Sequence, residues 1–418
     1  MKKGFLLITA LLALQLTIYA QEVSLKECWQ WAKDYYPKAK DRKVLLDNST
    51  LRIENLKTTW YPKMNLNGQA TWQNEVTAIS NPLFKATPPN KDQYKATLDI
   101  NQTIYDGGVT QAKRKIEEAN SATEIINLDI ELYNIQKNVS DIFFLTKSLE
   151  AQQEQITLTK ENLTARSKEL EAGVKAGSVL KSELSVLTVE ILKLEQKQFE
   201  VEEGKASAIA TLALLTGKPM SAETTKLSMF EIPAISAENK RLEYQLFEQQ
   251  KQSMELQASL ASKNRMFQVN AFGQGGYGNP GLNMMKVEWA PIVYLGIKVQ
   301  WNIWDWNQTS RQKKIALESR MLVDDQKALF TQNQDISRQR SESTIRRLEK
   351  SLTLDSEIVK LRQEVINSSK AKLANGTLRA SDYVNDLNAE SNAVLEQKIR
   401  EILLDQARVE LMQTLGQN

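Results

Sequence analysis

The sequence predicts an α+β membrane protein in which four β-strands and long antiparallel helices form two internal repeats. Three observations support this prediction. The chain after residue 20 contains two related copies, four segments alternate between apolar and polar residues, and most of the rest repeats an apolar residue every seven positions. Alternation is the period of a strand with two different faces, and a seven-residue repeat is the period of supercoiled helices.

The duplication is clearest where the chain is expected to turn. Two pairs of segments are offset by 199 residues: Tyr105-Asp106 with Trp304-Asp305, and 212–217 with 411–416. Residues 62–69 match 267–274 at an offset of 205, and residues 173–184 match 376–387 at an offset of 203. Such a period is too long for a solenoid. We therefore predict that 21–217 and 238–418 are two copies of one unit, joined by an inter-repeat linker over 218–237 in an equatorial region.

Residues 1–20 are predicted to be a secretory signal peptide. Lys2 and Lys3 precede a mostly apolar run of about fifteen residues, which is shorter than a membrane anchor. Ile18-Tyr19-Ala20 precedes the expected cut at Gln21, where the lack of a cysteine argues against a lipid anchor. No later run of about eighteen apolar residues follows, so we expect any membrane-crossing part to consist of strands.

Composition argues against an enzyme. The chain has no histidine and one cysteine, which removes the usual general base and rules out a thiolate metal cluster. No glycine-rich phosphate loop precedes a helix. We therefore expect no catalytic residues, no cofactor and no metal, and we expect Cys28 to be a small core residue. The 54 basic residues, less Lys2 and Lys3, nearly balance the 51 acidic ones, so no nucleic-acid partner is predicted.

Four segments with a period of two are predicted to form strands. They lie at 64–73, 94–104, 267–274 and 295–303, within two strand pairs of about 61–79 with 91–106 and about 264–278 with 289–305. Turn-forming residues such as Asn81-Pro82 and Asn279-Pro280 lie between the members of each pair.

This alternation has two interpretations. A half-buried sheet over a soluble core is the common one. A transmembrane barrel, with lipid on the apolar face and water on the polar face, agrees better with strands of about 10 residues and with lysine and aspartate on the polar face. Six of the eight tryptophans lie on or beside these segments, as a membrane interface favours.

The barrel interpretation assigns both faces of the strands. The predicted lumen residues are Asn65, Asn67, Gln69, Lys95, Asp99, Asn101, Lys298, Gln300 and Asn302. The predicted membrane-interface aromatics are Trp60, Tyr61, Trp72, Tyr105, Trp289, Trp301 and Trp304. Four strands cannot close, because the smallest membrane barrels have about 8, so we expect several chains to share one barrel in the lipid bilayer.

Heptads predict long helices in both repeats. The first repeat has Leu128, Ile135, Ile142, Leu149, Ile156, Leu163 and Leu170 in this period, and the second has Ile345, Leu352, Val359, Ile366 and Leu373. A sustained heptad imposes a left-handed supercoil. The second apolar heptad position is filled only early, by Leu132 and Val139, which favours a wide assembly with a hydrated interior. A helix over about 108–172 would be ~97 Å long at ~1.5 Å per residue.

Turn and cap residues predict where the helices begin and end. Gly173, Gly177 and Asn375-Gly376 are expected to be helix C-caps, with hairpin tips near 173–178 and 375–381. Asp106 and Asp305 are expected to cap the following helices rather than to bind an ion. Residues 24–27 have the pattern of a capping box.

These residues resemble TolC-type outer membrane factors, the outer membrane efflux proteins that serve Gram-negative tripartite efflux pumps and type I secretion systems. The resemblance rests on the signal peptide, on 61–64 entering a strand and 104–108 leaving one, on the two tip motifs, and on the Leu-x-x-x-x-Gly that closes each repeat. It covers nearly the whole mature chain. One departure is Trp306-Asn307, where the first repeat has Gly107-Gly108.

The resemblance implies a homotrimer whose chains, with four strands each, share a 12-stranded β-barrel in the outer membrane, continued by a periplasmic α-helical coiled-coil barrel. It implies that the tips dock onto a periplasmic adaptor (membrane fusion) protein, which links the channel to an inner-membrane transporter. The expected function is a channel-tunnel that conducts substrates passively to the exterior.

The resemblance also assigns residues to the tips. Gly173, Gly177, Gly376 and Thr377 fall in the adaptor-docking turns. Asp382 falls on an acidic ring at the periplasmic gate, where Asn385 replaces a second acidic position and Asp386 lies beside it. A plainer interpretation of Asp382 is a carboxylate that the helix dipole favours. The alternative for the whole chain is a soluble periplasmic coiled-coil scaffold or adaptor, which would need no lipid-facing strands.

Overall fold

The computed structural model describes residues 21–77, 88–236, 238–284 and 286–417. The predicted signal peptide, the Asn81-Pro82 turn and the predicted strand end at 78–79 lie outside the described residues. The described chain forms two compact units. The helical unit contains 21–40, 128–242 and 329–417, and the sheet unit contains 41–127 and 243–328.

Six strands and seven α-helices are present in the described ranges. In chain order they are β1 (Gln21–Ser24), α1 (Leu25–Tyr35), α2 (Asp41–Lys57), β2 (Lys63–Trp72), β3 (Asp92–Tyr105), α3 (Val109–Lys175), α4 (Lys181–Thr216), β4 (Thr225–Ser228), α5 (Leu242–Lys263), β5 (Gln268–Asn279), β6 (Ala290–Gln300), α6 (Gln308–Ala374) and α7 (Ala380–Thr414).

The sheet unit contains the four predicted strands in one antiparallel sheet of order β2-β3-β5-β6. The two repeats meet where β3 pairs with β5, with Asp99 opposite Gln274. Register is continuous across the sheet apart from an irregularity between Thr103 and Tyr105. Because paired residues share a face, alternation along each strand separates one polar from one apolar face over the whole sheet.

The predicted strand bounds need correction at several ends. β2 begins at Lys63 and ends at Trp72 rather than covering 61–79, and β5 begins at Gln268 rather than 264. β6 spans only Ala290–Gln300, not 289–305. Its last residue, Gln300, pairs with the first residue of β5, so residues beyond 300 have no β5 residue opposite them.

The helices of the two repeats correspond at one constant offset. α3 and α6 each contain 67 residues and begin at Val109 and Gln308, which is an offset of 199. α4 and α7 begin at Lys181 and Ala380, again 199 apart. The offset of 203 predicted for the tips is therefore wrong. Two nearby glycines in repeat 1 allowed a false match, in which Gly173 was aligned with Gly376 instead of Gly177.

The helical unit is held together near the tips by a core from four helices. Its buried residues are Leu163, Leu170, Leu187, Ile366, Leu373, Ala380, Tyr383, Val384 and Leu387. Four of these, Leu163, Leu170, Ile366 and Leu373, belong to the predicted heptads, so the heptad marks the buried seam of α3 and α6.

The linker over 218–237 contains a strand that was not predicted from the sequence. β4 pairs in parallel with β1, and Val23 and Leu227 are opposite each other and buried. Ser24 then begins α1 with the predicted capping box, in which Glu27 and Ser24 bond each other's backbone. Four-residue strands carry too little periodicity to be recognised in sequence.

Candidate functional site: the polar sheet face and the helix tips

The polar face of the sheet brings the predicted lumen residues together. Asn65, Asn67, Gln69, Lys95, Asp99, Asn101, Lys298 and Gln300 share this face according to the strand registers. Asn302 does not belong to it, because β6 has ended at Gln300. The same registers add Thr97, Asn270 and Gln274, which the alternation in 94–104 and 267–274 already contained.

Asp99 lies at the centre of this polar face. Its carboxylate accepts hydrogen bonds from Asn67 Nδ2 at 2.6 Å and Gln274 Nε2 at 2.5 Å. These bonds join β2, β3 and β5 through side chains. Charge-assisted bonds of this kind are stronger than those between neutral groups. The face is therefore polar, and side-chain hydrogen bonds join the two repeats across it.

The opposite face of the sheet is apolar and exposed. Leu66 and Leu295 are both 82% exposed, although such side chains are normally buried in a water-soluble protein. The predicted interface aromatics are exposed as well: Trp60, Tyr61, Trp72, Tyr105, Trp289, Trp301 and Trp304. A face with this composition suits hydrocarbon rather than water.

The aromatics gather at both ends of the strands. At the loop end, the Trp289 ring stacks on Tyr94 and Tyr277, with centroids 6.2 and 5.9 Å apart. At the helix end, Trp304 meets Trp306 edge-on at 5.7 Å. Two aromatic girdles flanking an apolar band are typical of strands that cross an outer membrane. Trp306 was missing from the predicted set.

No helix in the described ranges is apolar over a length that could cross a membrane.

Asp106 and Asp305 cap the helices that follow the strands. Asp106 accepts from Gly108 N at 2.8 Å and Thr110 N at 2.6 Å, and Asp305 accepts from Thr309 N at 3.0 Å. Burial alone would raise the pKa of Asp106, but the hydrogen bonds from Thr110 and Gly108 outweigh it and hold the pKa below its ordinary value. The predicted capping role is confirmed at both positions.

Both hairpin tips have the same hydrogen-bond pattern. In repeat 1, Gly177 N donates to Val174 O and Ser178 N donates to Gly173 O. In repeat 2, Gly376 N donates to Leu373 O and Thr377 N donates to Lys372 O. Gly177 and Gly376 have φ of 73° and 70°, as this helix-ending motif requires. Gly173 is not a C-cap, because α3 continues to Lys175. A side chain at Gly173 would meet Val179 Cγ2 at 2.6 Å.

The structure separates the three predicted gate residues. Asp382 and Asn385 are exposed on α7. Asp386 instead accepts a hydrogen bond from Ser369 on α6 at 2.5 Å, so it faces its own chain. At the offset of 199, the counterpart of Asp382 in repeat 1 is Glu183. The predicted offset of 203 did not pair these two residues. Glu183 Oε2 accepts from Ala380 N at 2.6 Å and so caps α7 from the other hairpin.

Comparison with known proteins agrees with this architecture. Residues 44–218 match the model of the outer membrane efflux protein family. The fold is similar, over 94% of the chain, to solved structures at 12–14% identity. They include CusC (TM-score 0.74, 92% of that chain), VceC of Vibrio cholerae (0.67, 96%) and the CmeC channel of Campylobacter jejuni (0.68, 85%). No curated protein sequence gives a match.

Residues 44–218 therefore have the sequence pattern of outer membrane efflux proteins, and the described chain has the fold of solved outer membrane channels. Among these similar structures, VceC is an outer membrane protein and CmeC is an outer membrane channel.

Proposed function

We propose that three copies of this chain form the export duct of a tripartite efflux pump or type I secretion system. The observation that carries the proposal is the sheet with one exposed apolar face and one polar face. Among the described residues, β2 and β6 each pair on one side only. They run antiparallel to each other, so β6 of one copy can pair with β2 of the next, and three copies would close a barrel.

In such a barrel the polar face would line a water-filled lumen. Lys95, Asp99 and Lys298 would place charges of both signs along it. The channel itself would conduct solutes passively. Substrate choice and energy would come from an inner-membrane transporter, which the duct reaches through a periplasmic adaptor protein.

The hairpin tips are the surfaces proposed to dock onto the adaptor. Gly177, Gly376 and Thr377 are exposed, and the left-handed glycines leave their turns without a projecting side chain. Gly173 contributes indirectly, because its lack of a side chain allows Val179 to pack against the turn. The two tips are equivalent in backbone, so each chain would offer an adaptor two similar docking turns.

Exposed Asp382 is proposed to contribute to a charged constriction at the periplasmic entrance. Three copies around one axis would bring three carboxylates together, which attract cations at close range. Asn385 would add a neutral amide to this constriction. Asp386 would support it by holding α7 against Ser369 of α6.

Membrane fractionation and single-channel recording test the proposed function. We expect the protein in the outer membrane fraction as a detergent-stable trimer that forms ohmic channels in a planar bilayer. A water-soluble monomer without channel activity would contradict the proposal and favour a periplasmic coiled-coil scaffold or adaptor.

A further inference from the structure

The connection between β5 and β6 turns back over the polar face of the sheet. Residues 280–284 of this connection are called the strap here. The strap, Asn279 and six other strand residues line an open cleft of about 220 Å³; the six are Gln69, Thr71, Gln93, Tyr94, Lys95 and Ile292. The strand registers place all six except Tyr94 on the polar face, so the strap lies over part of that face.

Ile292 gives independent evidence for this cover. It is an aliphatic residue on the polar face, yet only 3% of it is exposed in a single chain. Its neighbour Val293, on the opposite face, is 67% exposed. The strap therefore removes Ile292 from water, whereas Val293 stays exposed among the residues that the structure describes.

Two glycines allow the strap to lie close to the strands. A Cβ on Gly278 would lie 3.0 Å from Ile292 Cδ1 and 3.4 Å from the Pro280 carbonyl oxygen. A Cβ on Gly281 would lie 2.6 Å from Ala290 Cβ. A side chain at Gly281 would push the strap away from Ala290, whereas one at Gly278 would press on Ile292 beneath the strap. The close approach is therefore built into the local sequence.

The strap also presents apolar side chains that its own chain leaves uncovered. Leu282 and Met284 are 58% and 64% exposed. The strap lies at the loop end of the sheet, opposite the end at which β3 leads into α3, and this would be the outer end of the proposed barrel. In a barrel of several copies, every chain contributes one strap to the same exit.

We propose that the strap forms a size-limiting constriction at the outer exit of the duct, distinct from the entrance at the helix tips. The inference rests on the proposed function, since only a closed barrel gives the polar face a lumen to narrow. Leu282 and Met284 supply an apolar rim, and apolar rims also hinder ions by dewetting. Bulky solutes from outside are excluded while the strap is in place.

Thiol labelling of whole cells tests this constriction without depending on the periplasmic entrance. Asn101→Cys places a thiol on the polar face, nearer the helices than the strap, and the native Cys28 is buried. Cells receive a small charged maleimide or the same group on a bulky polymer. We expect the small reagent to label the intact protein and the polymer to label it only after the strap is removed.

Two variants open the strap. Deletion of residues 281–287 leaves Asn279, Pro280, Glu288 and Trp289 between the paired Gly278 and Ala290, which is a usual hairpin length. Ile292→Thr removes the apolar support beneath the strap and leaves the loop intact. Val293→Thr is the matched control, because it makes the same change one residue away on the other face.

The outcomes separate this inference from the proposed function. Polymer labelling that appears in the deletion, and rises in Ile292→Thr above Val293→Thr, supports the constriction. Polymer labelling with the strap intact, or none after the deletion, overturns it. A thiol at position 101 that even the small reagent cannot reach would instead contradict the open duct itself.

Discussion

At the residue scale, the turn from β3 to α3 shows how the two copies solve one backbone problem with different residues. Gly107 and Gly108 have φ of 71° and 84°. Their counterparts Trp306 and Asn307 hold the same left-handed conformation, with φ of 51° and 61°. Left-handed backbone costs an ordinary residue about 1–2 kcal/mol, so repeat 2 tolerates a strain that repeat 1 avoids.

Gly107→Ala is expected to destabilise the protein more than Gly108→Ala. Both changes add left-handed strain, but a Cβ at Gly107 would lie 2.6 Å from Met266 Cβ, whereas the nearest atom to a Cβ at Gly108 is 3.6 Å away. The clash should add about 1–3 kcal/mol, the usual cost of overpacking. The thermal unfolding midpoints of the two purified variants measure this difference, and equal midpoints would contradict it.

Cys28 is expected to be unreactive in the folded protein. Burial raises the pKa of the Cys28 thiol from 9.0 to about 12, and the nearby Glu27 charge acts in the same direction. The neutral thiol therefore favours the folded state below pH 9.0, and this contribution is lost as the pH rises above that value.

The rate of labelling by a disulfide reagent checks this expectation. Between about pH 7 and pH 9 the folded protein should show no acceleration, whereas the denatured chain should react faster as its thiol ionises. Rapid, pH-dependent labelling of the native protein would show that Cys28 is accessible and contradict the buried assignment.

At the element scale, side chains from one hairpin complete the helix ends of the other. Glu183 in the first turn of α4 accepts from Ala380 N, the first amide of α7, at 2.6 Å. Farther along the same two helices, Glu190 Oε1 of α4 accepts from Asn388 Nδ2 of α7 at 2.8 Å. The core around Leu187 and Leu387 lies between them. The two hairpins are therefore joined by polar bonds on either side of an apolar contact.

Glu183→Ala is expected to loosen the start of α7. Loss of a capping acceptor costs about 1 kcal/mol, which should increase the exchange rate of the Ala380 amide roughly fivefold. Hydrogen–deuterium exchange of peptides that contain 380–384 measures the effect. Glu183→Gln is the matched control, because it keeps an oxygen that can accept from Ala380 N. Equal exchange in both variants would contradict the cap.

At the scale of the whole molecule, the sheet must meet hydrocarbon on one face and water on the other. Leu295→Lys is expected to lower the stability of the folded protein by about 2–4 kcal/mol, the effect of a lysine on the lipid-facing side near the middle of the bilayer. Asn101→Lys, on the polar face, should cost little. The yield and thermal stability of folded protein in the outer membrane compare the two variants. Equal tolerance of both lysines would contradict the assignment of the faces.

Asp382→Asn is expected to weaken block of the channel by divalent cations. If three carboxylates meet at the entrance, their removal should lower the blocking affinity by about tenfold, or ~1.4 kcal/mol. Asp382→Glu keeps the charge and should keep the block. Single-channel current at increasing divalent cation concentration measures the affinity. Unchanged block in Asp382→Asn would remove Asp382 from the gate.

Much of this architecture follows from local patterns. The period of two in 94–104 assigned Asp99 and Leu98 to opposite faces, because alternation is a property of a single strand. The capping roles of Asp106 and Asp305 were also predictable, since a cap involves only neighbouring residues. The same logic failed at the tips, where Gly173 matched the motif as well as Gly177 did. Only backbone geometry distinguished a helix interior from a left-handed turn.

The sequence by itself therefore determined the four strands of the antiparallel sheet, their two faces, the heptad helices and the duplication. The tertiary structure decided which strands pair between repeats, the offset of 199 along the helices, the β1–β4 pairing and the cover over Ile292. The physical reason is the separation along the chain of the residues that produce each feature. Periodicity and capping depend on residues a few positions apart, whereas register, strap placement and the Glu183 cap depend on groups that are distant in the chain and meet only after folding.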